Sequence, residues 1–125
     1  EDGMDELSAT SKNKVCMLKN NEITELIINP KDYNIGNGSL SDIQVSTKQE
    51  AIESFLSVLN NTSNKTMKEV TVLNAAGGIL VEGMCDRFDE CVELARETIN
   101  SGKSFEKLKQ FAKENNALDK LEESG

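Results

Sequence analysis

The run MKEVTVLNAAGGILVEG, residues 67–83, constrains this chain more than any other stretch. Val70, Val72 and Leu73 look strand-like, and Gly77 and Gly78 disfavour a helix interior. Yet Met67 to Val81 exceeds an ordinary strand, and its apolar residues lie all round. A helix that is apolar on every side needs protein against several of its faces. The spacing therefore predicts a buried helix over Met67–Val81. Gly77 and Gly78 would let a neighbouring backbone come close. Asn74, in the middle, is expected to be a buried, hydrogen-bonded structural residue.

The rest of the chain divides around that helix. Val15–Leu18 and Ile23–Ile28 are β-prone runs, and Lys19, Asn20, Asn21 and Glu22 between them supply turn chemistry, so a hairpin is predicted. Pro30 stops the second strand because it cannot donate to a ladder. DYNIGNGS, residues 32–39, reads as a loop, with Ser39 and Ser41 able to cap a short turn over Leu40 and Ile43. Ser46 or Thr47, with Gln49 or Glu50 three residues on, has capping-box spacing before the helical stripe Ala51, Ile52, Phe55, Leu56 and Leu59, which Asn60 and Asn61 end. Asp86 reads as the N-cap of a helix striped by Phe88, Cys91, Val92, Ala95 and Ile99, with Asp89 and Glu90 in its first turn and Gly102 as its stop. Phe105, Leu108, Phe111 and Ala112 stripe a last helix, and the polar tail LDKLEESG is expected to fray. The predicted class is mostly α with a β-hairpin, with one domain over residues 1–115 and a tail over 116–125.

The chain has 125 residues and a net charge of −8, so a phosphate backbone would repel it and nucleic-acid binding is not expected. No apolar run reaches the ~18 residues of a membrane span, and no basic-then-apolar leader is present. There is no histidine, which removes the commonest acid–base group and transition-metal ligand. Cys16, Cys85 and Cys91 are odd in number and form no C-x-x-C pair, so reduced, partly buried thiols in a cytoplasmic protein are expected. Cys85 and Cys91 lack a histidine to activate them and read as core or helix-edge residues. Lys12 and Lys14 are the nearest thing to a basic pair, and a solvated strand edge explains them. The Gly77–Gly78 pair could be taken for a phosphate-cradling loop, but such loops join a strand to a helix and basic support is missing here.

That leaves GMDEL, residues 3–7. Asp5 and Glu6 stand side by side behind Gly3. They are either ligands of a hard, oxygen-loving cation such as Mg²⁺ or two solvated charges near a chain end.

Several segments together carry a resemblance. DGMDELS, VTVLNAAGGILVEG and VELARETINSGKSFEKLKQF resemble, in order and spacing, the carboxy-terminal third of the anthranilate phosphoribosyltransferase family. INPKDYNIG is similar to that family's Pro-x-Asp-Phe-Gly segment, with Tyr33 for Phe and two residues inserted before Gly36. The likeness runs from Glu1 to about Phe111. It implies a fragment of the α/β domain of a larger α/β enzyme. That enzyme moves a phosphoribosyl group from phosphoribosyl pyrophosphate to the amino group of anthranilate, with Mg²⁺, on the route to tryptophan. It also implies that Asp5 and Glu6 help to bind the second of two metal ions. A homodimer, formed through an amino-terminal helical domain, is implied for the intact enzyme. The family's Gly-Thr-Gly-Gly-Asp phosphate loop, its Asn-x-Ser-x-x-Ser/Thr and Lys-His-Gly segments, and the arginine that meets anthranilate lie upstream in the family and are not in this chain. The expectation is therefore a fragment that is inactive alone. It would self-associate or pack loosely through the uncovered face of Met67, Val70, Val72, Leu73, Ile79, Leu80 and Val81.

Two other functions compete. Pyrimidine and thymidine phosphorylases share the fold, although GMDELS and LNAAGGIL favour the transferase. An acidic helical interaction domain with no chemistry would also carry this charge.

Overall fold

A computed structural model describes residues 3–124. Strand β1 (Asn13–Lys19) pairs antiparallel with β2 (Glu22–Ile28), with Val15 opposite Leu26 and Asn13 opposite Ile28. The turn is the two residues Asn20 and Asn21, at φ 53° and 62°. Two left-handed residues in succession match the twist of a tight hairpin, and asparagine tolerates that conformation better than most residues. Val15, Met17, Leu26 and Ile28 alternate inward. Leu18, Ile23 and Ile27 on the other face are 60–74% exposed. β1 begins two residues before the predicted run because the Asn13 side chain holds it there. Its Oδ1 accepts from Ser8 N–H at 2.7 Å and its Nδ2 donates to Ser8 O at 2.9 Å.

Pro30 ends the sheet as expected and opens a 3₁₀ turn over Pro30–Tyr33. The loop beyond it contributes more to the core than its composition suggested. Ile35 is 1% exposed, and the Tyr33 ring meets Phe88 edge to face at 5.1 Å. A second 3₁₀ turn, Leu40–Asp42, is capped by Ser39.

Helix α1 (Lys48–Leu59) starts at the predicted capping box. Glu50 N–H donates to Thr47 Oγ1 at 3.1 Å, and Thr47 N–H donates to the Glu50 carboxylate at 3.2 Å. Its inward face follows the predicted stripe in part: Leu56 is buried and Ile52 and Leu59 are half-buried, but Val58 is buried too and Phe55 is 54% exposed. α1 packs mainly, and lightly, on α2 (Lys65–Glu82) and α4 (Lys103–Glu114), and leaves Phe55 largely in water.

α2 is the predicted central helix. Asn64 caps it, its Oδ1 accepting from Met67 N–H at 2.8 Å, and Gly83 at φ 78° stops it. Val72, Leu73 and Ala76 are buried, while Met67, Val70, Ile79 and Leu80 pack at the core edge. The face expected to be incompletely covered is mostly covered: Val72 and Leu73 are buried, Met67, Val70, Ile79 and Leu80 are half-buried, and Val81 is 84% exposed. The cover comes chiefly from α3 (Phe88–Asn100), whose predicted stripe of Phe88, Cys91, Val92, Ala95 and Ile99 is buried throughout. α3 is capped by Arg87 rather than Asp86. Arg87 is extended at φ −121° and pairs with Asp89, so the first helical turn starts one residue later than the composition suggested. Gly102, at φ 77°, separates α3 from α4. In α4 Ala112 is buried and Phe111 is 63% exposed. The tail expected to fray forms a short helix, α5 (Leu118–Ser124), against α4.

The turn before α1 is tied to α2 through Asp42. Its carboxylate accepts from Ser39 N–H at 2.8 Å and from the Thr66 hydroxyl at 3.2 Å. Hydrogen bonds from the Ser39 backbone, the Ser39 hydroxyl and Thr66 hold the Asp42 carboxyl below its ordinary value. A carboxyl depressed on folding contributes stability above its unfolded value of about 4 and loses it as pH falls through the lower folded value. Asp42→Asn is therefore expected to flatten the acid side of the stability profile. Melting temperatures of both proteins, taken between pH 6 and pH 2.5, should converge towards the acid end; parallel curves would contradict the link.

Candidate functional site

Residues 3–13 form a strap that crosses the middle of α2. Ser8 and Ala9 are buried, Leu7 is half-buried, and Asp5 and Glu6 are exposed. Asn74 fixes the crossing. Leu7 N–H donates to Asn74 Oδ1 at 2.9 Å, and Asn74 Nδ2 donates to Leu7 O at 2.9 Å. The same Nδ2 donates to Val70 O at 2.9 Å within the helix. The predicted hydrogen-bonded role of Asn74 is thus observed, with a partner 67 residues away, although the side chain is half-buried rather than buried. One turn on, a Cβ at Gly77 would stand 3.3 Å from Leu7 Cδ1, whereas one at Gly78 would meet nothing within 4 Å. Of the two glycines expected to admit a neighbour, Gly77 does so and Gly78 does not.

The strap, the hairpin and α2 enclose an open groove of about 1020 Å³. Asp5 and Glu6 lie on its wall with Asn74, Lys12 and Lys14. Lys14 Nζ reaches Glu25 at 3.0 Å in an exposed pair. The sequence presented these lysines as a strand edge. That edge also borders the carboxylate-bearing groove, a juxtaposition that depends on the strap folding back over α2 and is not visible in local spacing. The remaining wall is apolar, with Val15, Leu26 and Leu80 among its residues.

Among the described residues, no group of three or more Cys, His, Asp or Glu side chains converges to hold a metal ion. The described residues thus offer Asp5 and Glu6 no third protein carboxylate or thiol. Two exposed carboxylates at an open groove fit a cation that keeps water and takes further oxygens from a substrate phosphate, which is the habit of Mg²⁺.

The three cysteines are free thiols in different settings. Cys91 is fully buried on α3 and its thiol is pushed up to about 11, by burial first and then by the hydrogen bond with Cys85. Cys16 is exposed on β1, its thiol facing Glu25. No histidine stands near any of them, since the chain has none. The carboxylates of α3 form an acidic cleft with Asp32, including Asp89, Glu90 and Glu93. Arg87 pairs with Asp89, and Arg96 reaches Glu93 at 2.6 Å while also donating to Tyr33 O at 3.0 Å, so part of that charge is already met. No helix among the described residues is long and apolar enough to cross a membrane.

The sequence matches the family described as "Glycosyl transferase family, a/b domain" over residues 1–105. It is 46% identical over 123 residues to the anthranilate phosphoribosyltransferase of Nitrosopumilus maritimus, a match covering 98% of this chain and 35% of that protein. Anthranilate phosphoribosyltransferases of Priestia megaterium and Bacillus subtilis are 38% and 36% identical, covering 88% and 90% of this chain. Those matches take in 32% and 34% of the two proteins. The chain spans about a third of the length of the curated relatives it matches.

Proposed function

We propose a function from the premise that this chain belongs to the glycosyl transferase family, as its a/b domain: it is the carboxy-terminal part of an enzyme that transfers a phosphoribosyl group from phosphoribosyl pyrophosphate to anthranilate. The observation that carries this reading is the alignment of nearly the whole chain with relatives named for that reaction, together with the placement of Asp5 and Glu6 on an open groove. Those names favour transfer to anthranilate over the phosphorolysis considered from sequence.

In this reading Asp5 and Glu6 hold a hydrated Mg²⁺, contributing one or both carboxylates and leaving its other positions to water and pyrophosphate oxygens. A metal ion so bound supplies neutralisation of the negative charge that develops on the departing pyrophosphate. Gly3, at φ 80°, gives the backbone freedom for two neighbouring side chains to face one ion. Lys12, on the same wall, offsets part of the negative charge that the groove presents to a substrate that is itself an anion, while Lys14 is already paired with Glu25. The place of this chemistry on the route to tryptophan, a cytoplasmic location and homodimerisation of the intact enzyme belong to the same proposal. So does self-association of the isolated 125-residue chain, for which the open hairpin face of Leu18, Ile23 and Ile27 offers an apolar surface.

The test is pyrophosphate release by the full-length protein given phosphoribosyl pyrophosphate, anthranilate and Mg²⁺. Release dependent on all three is expected, and the 125-residue chain alone should give none. Full-length protein that releases pyrophosphate at the same rate without anthranilate, or turnover by the short chain, would each refute a part of the proposal.

A further inference from the structure

We infer that Asn74 is a positioning residue for the Asp5–Glu6 pair, acting through the backbone of Leu7. The inference rests on the reading of that pair as the metal-holding group. An asparagine is disfavoured in a helix interior, so its presence at the centre of α2 calls for a reason. Satisfying its own amide is not a sufficient one, because the Val70 carbonyl and water would do that. Instead, both ends of the Asn74 amide meet a single residue, taking the Leu7 N–H and giving to the Leu7 carbonyl. The side-chain amide has the shape of a peptide group, so it pairs with Leu7 as one strand residue pairs with another. Such two-point contact fixes the position of the strap along the helix as well as its distance from it.

The distance has its own device. Gly77 stands one turn away on the same face, and a Cβ there would press within 3.3 Å of Leu7 Cδ1. On the other side of Leu7, Ser8 N–H is held by Asn13 at 2.7 Å. Glu6 and Asp5 are the first and second residues upstream of this anchored point, and they project beyond it into the groove. Without the anchor, two exposed carboxylates on an unpinned segment would have to lose their conformational freedom on meeting a cation, at a cost in affinity. With it, much of that ordering is complete before the ion arrives.

The experiment uses full-length protein and three substitutions: Asn74→Ala, Asn74→Asp and the double change Asp5→Asn with Glu6→Gln. Mn²⁺ binding in the presence of pyrophosphate is read from the free-ion paramagnetic resonance signal. Amide hydrogen exchange of residues 4–9 is followed beside that of α2 and α3. Asn74→Ala is expected to weaken Mn²⁺ binding about 10-fold or more, the range seen for residues that orient ligands, and to speed exchange in residues 4–9 while α2 and α3 keep their protection. Asn74→Asp, which retains an acceptor for Leu7 N–H and loses the donor to Leu7 O, should fall between, and carries the test if the alanine variant does not fold. The double change should lose Mn²⁺ binding and leave exchange in the strap slow. If the double change loses the ion and Asn74→Ala binds it normally, the positioning role is overturned and the metal reading stands. If exchange in α2 and α3 rises as much as in the strap, Asn74 is only structural and the inference fails. Should even the double change bind Mn²⁺ as tightly as the parent, the metal reading falls and takes this inference with it.

Discussion

Leu73→Ala is expected to lower the unfolding free energy of the chain by about 2–5 kcal/mol, the range found when a buried leucine is cut to its Cβ. Leu73 is 0% exposed on α2 and belongs to the same buried cluster as Val72, Ala76, Cys91 and Val92, which are all within 2% of complete burial. The seam between α2 and α3 is the most extensive helix contact in the molecule, so the lost side chain leaves a hole on a rigid wall. For a domain whose total stability is on the order of 5–15 kcal/mol, that is a large share. Urea titration should show a lower midpoint with an unchanged slope. A loss under about 1 kcal/mol would mean that the seam closes over the hole or that the core lies elsewhere.

The second large effect is on function. Asp5→Asn combined with Glu6→Gln is expected to raise the Mg²⁺ concentration for half-maximal turnover of the full-length enzyme by about 10-fold or more, since even residues one shell out from a metal produce changes of that size. Both carboxylates are exposed, so the melting temperature should barely move, corresponding to within about 0.5 kcal/mol. An unchanged metal dependence would remove both residues from the ligand assignment. A large fall in melting temperature would instead make them structural.

These two expectations draw on different kinds of information in the sequence. The buried stripe of α3 and the capping box of α1 were readable because each is a local pattern: a period near 3.6, or a donor and acceptor three residues apart. The hairpin was readable for the same reason, from β-prone runs around Asn20 and Asn21. Arg87 in place of Asp86 as cap, and Val58 in place of Phe55 as an inward residue, were not readable. Each depends on what lies across from the helix, and periodicity fixes a face only to within about one residue. Ile35 illustrates the same limit: one apolar residue in a glycine- and asparagine-rich loop has no period at all, and only the packing of Tyr33 on Phe88 draws it inside. At the candidate site, Asp5 and Glu6 came from the motif they sit in. The bonds from Asn74 to Leu7 could not be read from spacing, because 67 residues separate the partners.

That separation also sets an order of events. The contacts between α2 and α3 join neighbours in the chain and close short loops, so they can form early. The strap reaches its seat only when residue 7 finds residue 74, and by then the helix that receives it must already exist. A segment docked on a finished surface can open without unfolding the helices beneath, and the paired bonds between Asn74 and Leu7 are what keep it seated. If Asp5 and Glu6 hold an ion as proposed, the population of the seated strap sets the fraction of molecules ready to take it up.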